Sequence, residues 1–419
     1  MLRSIVSNVM LTALLLSSCR VASSFAFRFL VKSPLSISIR GVPLSSRHTH
    51  SSEVRPFVPL PSLSSSSSSL AATATDDDSI IPATTLLDDP HDEDEEQSYT
   101  YTSTSSYTSR DMQQVITTIE LAARKAGVIM QQTSGKIAVQ KTKMNTSDLV
   151  TASDIECQRV IQETIQSYFP KDDFLGEEDV DAGSLASSSA LKSAIAKSDN
   201  GSDSGSDSDS VGKDEEGGKL LFIVDPIDGT TNFQAGLPMF CVSIGVVSLE
   251  NEHNEPVVVA GVIYNPILNE MVSAVKSRGC YMNGKRLESK IGPSELNQAL
   301  INVGFPVTSA ATLKASSTAV AALATSVRGL RMIASASQVM SWVAQGKLSA
   351  YVSWDLNAWD VAAGMVIVEE SGGFVSNFEG GRADISTRDM IVTCNEADGA
   401  RKLTQDIRKI LNDSGCLEY

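Results

Sequence analysis

The sequence predicts an α+β fold whose second half is α/β. Three observations point there. Residues 220–224 form a short apolar run bounded by turn residues, which reads as a buried strand. Residues 240–249, 257–264 and 271–275, with the region of Cys280, show strand period between turn signals and read as an antiparallel meander. From residue 296 onward, helix-period and strand-period segments alternate.

The leading residues stand apart from this pattern. Residues 1–24 read as a signal peptide: Arg3 supplies charge, a short apolar run follows, and small residues precede Phe25. That run is too short to span a bilayer, so no stable membrane insertion is expected. Residues 25–75 are Ser-rich and basic, with Arg28, Lys32, Arg40, Arg47 and Arg55 against the single acid Glu53 up to about residue 70, a transit-peptide composition. The junction around Phe25 resembles the bipartite presequence of algae with secondary plastids, so the expected location is a plastid, with plain secretion as the alternative. Residues 76–110 read as a disordered acidic and polar linker.

Within residues 111–292, Val115, Ile119, Ala122, Ala126 and Ile129 recur at helical spacing. Ser153 with Glu156 has the capping-box pattern of a second helix, which Pro170 stops. Residues 173–178 read as a short strand ending in the acids Glu177 and Glu178. Residues 183–218, rich in Ser, Asp and Gly, read as a disordered insertion. Pro226, which lacks a donor, is expected to end the strand begun at Leu220. In residues 293–415, strands are expected at 296–304, 349–353, 374–378 and 390–394, and helices at 311–326, 335–346, 359–370 and 396–411.

Composition narrows the chemistry. The 419-residue chain carries a formal charge of −16, which argues against nucleic acid as a partner. An acidic protein acting on an anion needs local cations, and these point to a metal. Of four histidines, His48, His50 and His91 precede the domain and only His253 lies within it, which argues against a Ser-His-Asp triad or a histidine-built zinc site. Cys19, Cys157, Cys241, Cys280, Cys394 and Cys416 form no CxxC pair, and the last five read as reduced thiols.

The chemistry concentrates at Asp225-Pro-Ile-Asp228-Gly-Thr-Thr-Asn232. Two acids three residues apart at the mouth of a buried strand repel by roughly 4 kcal/mol at an effective dielectric of 20. A cation would reverse that sign, and the Ile227 carbonyl could add a neutral oxygen; an all-oxygen set suits Mg²⁺. Gly229 and Thr230 look like a helix start with N–H groups free for a phosphate. Read as structure alone, the same residues make an Asx-type turn. Asp360, at the start of an apolar helix, reads either as a helix-dipole acid or as a further ligand. Cys280 and Arg286 have the C-x5-R spacing of cysteine phosphatases, but Asn283-Gly284 between them reads as a hairpin turn.

Glu177-Glu178, Asp225 to Asn232 and Trp359-Asp-Val-Ala-Ala-Gly364 resemble, in this order, the metal motifs of the inositol monophosphatase family, over about residues 111–412. The resemblance implies a layered α-β-α-β-α sandwich, a lithium-sensitive homodimer, and hydrolysis of a small phosphate ester such as inositol 1-phosphate by a metal-activated water. Carried over by position, Glu177, Asp225 and the Ile227 carbonyl hold one Mg²⁺, and Asp225, Asp228 and Asp360 a second. Gly229 and Thr230 bind phosphate, Thr230 and Glu177 orient water, Asp154 is an acid near the metals and Lys143 the upstream lysine. The chain departs from the pattern at Ser353, where inositol-specific relatives carry a glutamate that contacts the substrate. Histidinol phosphate, a hexose 1-phosphate, a nucleoside bisphosphate or a silent scaffold role therefore stay open.

Overall fold

The computed structural model describes residues 110–136, 141–142, 149–150, 152–199, 219–250, 255–288, 291–293, 295–306, 308–394 and 401–417. The leader, the linker, Lys143 and the second half of the insertion lie outside them. Among the described residues no helix is long and apolar enough to cross a membrane.

Helices α1 (Met112–Thr133) and α2 (Ala152–Tyr168) form the first layer, with the two-residue strands β1 (Lys141–Thr142) and β2 (Leu149–Val150) paired between them in sequence. Asp111 caps α1 by accepting from the Gln113 N–H. Ser153 is not a cap: it lies inside the first turn of α2 and donates to the Thr133 hydroxyl at 3.0 Å.

The second layer is a seven-stranded sheet ordered β3 (Asp173–Gly176), β4 (Leu220–Asp228), β5 (Cys241–Ser248), β6 (Val257–Asn265), β7 (Glu270–Val275), β8 (Gly279–Met282), β9 (Lys285–Arg286). Only β3 and β4 pair in parallel; the rest is the expected meander. Alternation decides its faces. Leu220, Phe222 and Val224 join the core under α1 and α2, while Leu221 and Ile223 face the opposite core.

The third layer is α6 (Ala336–Ala344) and α7 (Ala358–Glu370). The fourth is a five-stranded sheet ordered β11 (Gly329–Arg331), β10 (Leu300–Val303), β12 (Ala350–Ser353), β14 (Met390–Thr393), β13 (Phe374–Asn377). Helices α5 (Ala310–Ala324) and α8 (Lys402–Asp413) close its outer face around Ile301, Val352, Trp354, Leu403 and Ile407. The result is the α-β-α-β-α sandwich.

Three further expectations change. Strand β4 does not stop at Pro226: pairing with β5 resumes at Asp228, after a register shift between Asp225 and Asp228. Proline's missing donor falls in that irregularity, where no ladder bond is needed. Residues 184–199 are helix α3 (Ser184–Asp199), not disordered insertion. Ala190, Leu191, Ala194 and Ile195 make a helical stripe that meets the core between the sheets. Ion pairing of Lys197 with Asp173 at 2.8 Å and a Ser198 hydrogen bond to the same carboxylate fix its end. Finally, residues 296–298 form a 3₁₀ turn ahead of a β10 that is only four residues long.

Candidate metal centre

Parallel pairing of β3 with β4 sets Gly176 beside Val224, so Glu177 leaves the end of β3 next to Asp225, which is still paired with Ser243 of β5. The Asp225 carboxylate accepts from the Ile227 N–H at 3.0 Å, so the Asx turn and the acid pair are one arrangement. Gly229 then adopts φ 92, and an added Cβ would lie 2.9 Å from the Met239 carbonyl oxygen. Only glycine fits there without strain.

Asp228 points at the start of α6. The Ser335 hydroxyl donates to its carboxylate at 3.0 Å, and the free N–H groups of Ala336 and Ser337 donate as well. Asp360 occupies the third position of α7 and accepts from the Asn357 N–H at 2.6 Å. The Ser337 hydroxyl donates to the Asp360 carbonyl at 2.9 Å, so the two helix starts are tied together. Asn232 fastens the turn that follows Asp228, donating to the carbonyls of Met239 (2.8 Å) and Ile333 (2.7 Å).

These elements bring carboxylate oxygens of Asp225, Asp228 and Asp360 within 4.8 Å of one another. Asp225 and Asp228 are buried and Asp360 partly so. Burial raises the Asp225 carboxyl well above its ordinary range, and the charges of Glu177, Asp228, Asp360 and Asp154 push it further. Asp228 is raised by burial against the opposing pull of its hydrogen bonds from Ser337, Ser335 and Ala336. Asp360 is pushed up to about 8, by burial and then by Asp228. The leading charges on Asp225 are thus all acidic, and three crowded oxygens of one sign are the donor set of a hard divalent cation. Asp225, Asp228 and Asp360 are the residues able to hold it.

The other expected residues divide. Glu177 stands beside the triad as the leading charged neighbour of Asp225. The Thr230 hydroxyl is shared between the Ile227 carbonyl (3.1 Å) and Asp154 Oδ1 (3.3 Å), which brings Asp154 to the site. Ser353, on β12, is buried, and a Cβ on Gly304 would lie 2.1 Å from its Oγ. Asp355, the nearest carboxylate along the chain, is engaged by Arg388, Ser184 and Thr308. Cys280 is buried, its thiol pushed up to about 12, and positive φ at Asn283 and Gly284 makes the segment a hairpin; a reactive thiolate is excluded. Ser335, Ser337 and Asn232 were not read as site residues. Asn232 closes the Asp225 to Asn232 motif, whereas the signal for Ser335 and Ser337 is two serines at the start of a predicted helix.

The profile of the inositol monophosphatase family matches residues 111–412. A protein named inositol monophosphatase 2 from Solanum lycopersicum is 32% identical over 284 residues, covering 67% of this chain and 94% of its own. A Thermotoga maritima protein named fructose-1,6-bisphosphatase/inositol-1-monophosphatase is 29% identical over 268 residues, covering 64% of this chain and 86% of its own. The solved structure of a Thermotoga maritima IMPase matches with a TM-score of 0.55 at 26% identity, over 72% of this chain and 97% of its own. A match that begins at the cap of α1 and ends in α8 takes in every layer of the sandwich, and the chain belongs to the inositol monophosphatase family of phosphatases.

Proposed function

We propose that the protein is a Mg²⁺-dependent phosphate monoester hydrolase of the inositol-phosphate type, working by water attack at phosphorus. The observation that carries this reading is the triad of buried Asp225 and Asp228 with partly buried Asp360, with oxygens within 4.8 Å and raised carboxyl pKa values. A divalent cation bound there supplies charge to a phosphate ester and acidity to a water. The chain supplies the rest. Glu177 and the Ile227 carbonyl add oxygens next to Asp225. N–H groups of Gly229 and Thr230, at the start of helix α4 (Thr230–Ala235), are free to hold phosphate oxygens. Thr230 has one proton to share between Ile227 and Asp154, so its lone pairs can accept from a water and orient it.

The alcohol is the open part. With Ser353 buried and Asp355 engaged, a free carboxylate for ring hydroxyls is missing from those two positions, and such sites discriminate weakly. The double name of the Thermotoga relative supports the same breadth. The test is a phosphate-release screen of the purified protein with Mg²⁺ or EDTA over inositol 1-phosphate, β-glycerophosphate, histidinol phosphate, glucose 1-phosphate, fructose 1,6-bisphosphate and a nucleoside bisphosphate. We expect EDTA-sensitive release, with inositol 1-phosphate preferred over β-glycerophosphate by about tenfold or less. No Mg²⁺-dependent release from any ester would rule the reading out. A homodimer, readable by light scattering, and action in a secondary plastid belong to the same proposal. The plastid rests on the composition of residues 1–75 and is tested by imaging that segment fused to a fluorescent protein; secretion of the fusion rejects it.

A further inference from the structure

Helix α3 reaches the turn that carries Asp360 through a continuous set of bonds. At its start, the Ser184 hydroxyl donates to Asp355 Oδ1 at 2.8 Å. Arg388 Nε and Nη2 donate to the same oxygen at 3.0 and 2.7 Å, and Nη2 also reaches the Asp355 carbonyl at 3.2 Å. The remaining nitrogen, Nη1, donates to the Ser187 hydroxyl on α3 at 3.0 Å. The Asp355 N–H is in turn held by Asp389 at 2.9 Å, and the Leu356 N–H by the Arg388 carbonyl at 2.8 Å. Two residues further on, the Asn357 N–H meets the Asp360 carboxylate. At the opposite end, α3 is held to Asp173, the first residue of the strand that delivers Glu177. The helix is therefore fastened to both flanks of the metal centre.

Asp355 has φ 54, a left-handed backbone that costs an L-residue roughly 1–2 kcal/mol. Such a conformation persists where surrounding contacts over-determine it. Here the contacts are Ser184, Thr308 and the Arg388 fork. Removing them frees the turn to relax, and Asn357 and Asp360 lie directly downstream on it.

We infer that α3 and Arg388 form a clamp on the β12–α7 turn, with Arg388 as a positioning residue that sets the metal-binding geometry of Asp360. This rests on the reading of the acid triad as a cation site. Groups that orient metal ligands typically change metal affinity by about 10–100-fold when removed.

The test is direct binding of Mn²⁺, an oxygen-seeking probe followed by the paramagnetic resonance of the free ion, to the purified full-length protein. R388M keeps the stem of the side chain and loses the fork. Its Mn²⁺ Kd is expected to rise by about tenfold or more, while KM for the ester at saturating Mg²⁺ changes less than about twofold. Adding D355G, which accepts the left-handed backbone without a clamp, is expected to recover most of the lost affinity. The milder S184A/S187A pair leaves Arg388 on Asp355 and is expected to weaken Mn²⁺ binding by a few-fold, which keeps the test usable should R388M fail to fold. An unchanged Kd in folded R388M, or in S184A/S187A where R388M does not fold, overturns the clamp. So does a double variant no better than R388M alone. Wild-type protein that binds no Mn²⁺ overturns the cation site itself and is thereby told apart from failure of the clamp.

Discussion

Asp225 is buried, lies within 4.8 Å of two other carboxylates, and is held by its own turn at Ile227. Without a cation its ionised form is disfavoured by desolvation and by like charge. D225N and D228N keep the shape and remove one charge. Both are expected to lose Mg²⁺-dependent hydrolysis, and D225N to melt above wild type in EDTA near pH 8, because a repelling buried charge is gone. A D225N protein that melts lower in EDTA would contradict the charge account. At Ala334 the chain takes φ 57, next to the carbonyls that Asn232 holds. A334G relieves that backbone and is expected to stabilise the protein by about 1 kcal/mol, read as a higher denaturation midpoint. The acids of the site could be read as one set only through the family resemblance, because taken alone Asp225 and Asp228 also read as an Asx-type turn and Asp360 as a helix-dipole acid. Ser335 and Ser337 could not, since they act on Asp228 from more than 100 residues away. Nor does position along the chain report that the Ser353 hydroxyl lies against Gly304.

Helix α7 is seated on the sheet by missing side chains. A Cβ on Gly245 would lie 2.4 Å from the Ala362 Cβ, and one on Gly261 would lie 2.8 Å from the Ala363 backbone. Close approach of β5 and β6 to the helix therefore fixes the height at which Asp360 is presented. G245A is expected to cost about 1–3 kcal/mol of stability and to weaken Mg²⁺ activation as the helix lifts. Chemical denaturation together with the Mg²⁺ dependence of turnover reads both effects; a stable variant with wild-type Mg²⁺ dependence would mean the contact is slack. Apolar runs of strand length between turn signals made β5, β6 and β7 legible, since both faces of each strand are buried. The same reasoning missed β11, which has only three residues, and α3, whose apolar stripe is diluted by serines. Pro226 was read as a stop because a proline's missing donor was weighed without the bulge that makes the donor unnecessary.

Across the whole molecule the fold converges five segments on one point: the end of β3, the bulge of β4, the loop into α4, and the starts of α6 and α7. That convergence links stability to pH and to metal. The Asp360 carboxyl moves from an ordinary 3.8 to about 8, and Asp225 is raised too. Between those values the native state holds protons that the unfolded chain has released. Stability of the metal-free protein must therefore fall as pH rises through that window. Cation binding expels the same protons, so stabilisation by Mg²⁺ must grow over the same range. Melting curves at about pH 5.5 and about pH 8.5, with Mg²⁺ and with EDTA, are expected to diverge at the higher pH; parallel curves would contradict the linkage. The central claim, that this acid cluster is the cation site of a phosphatase, is tested most directly by the rate of phosphate release from inositol 1-phosphate as Mg²⁺ is titrated into wild type and D225N. The account predicts a saturable rise in wild type, abolished by EDTA, and a flat line in D225N. A wild-type rate indifferent to Mg²⁺ and EDTA, or a D225N curve that follows wild type, would contradict it.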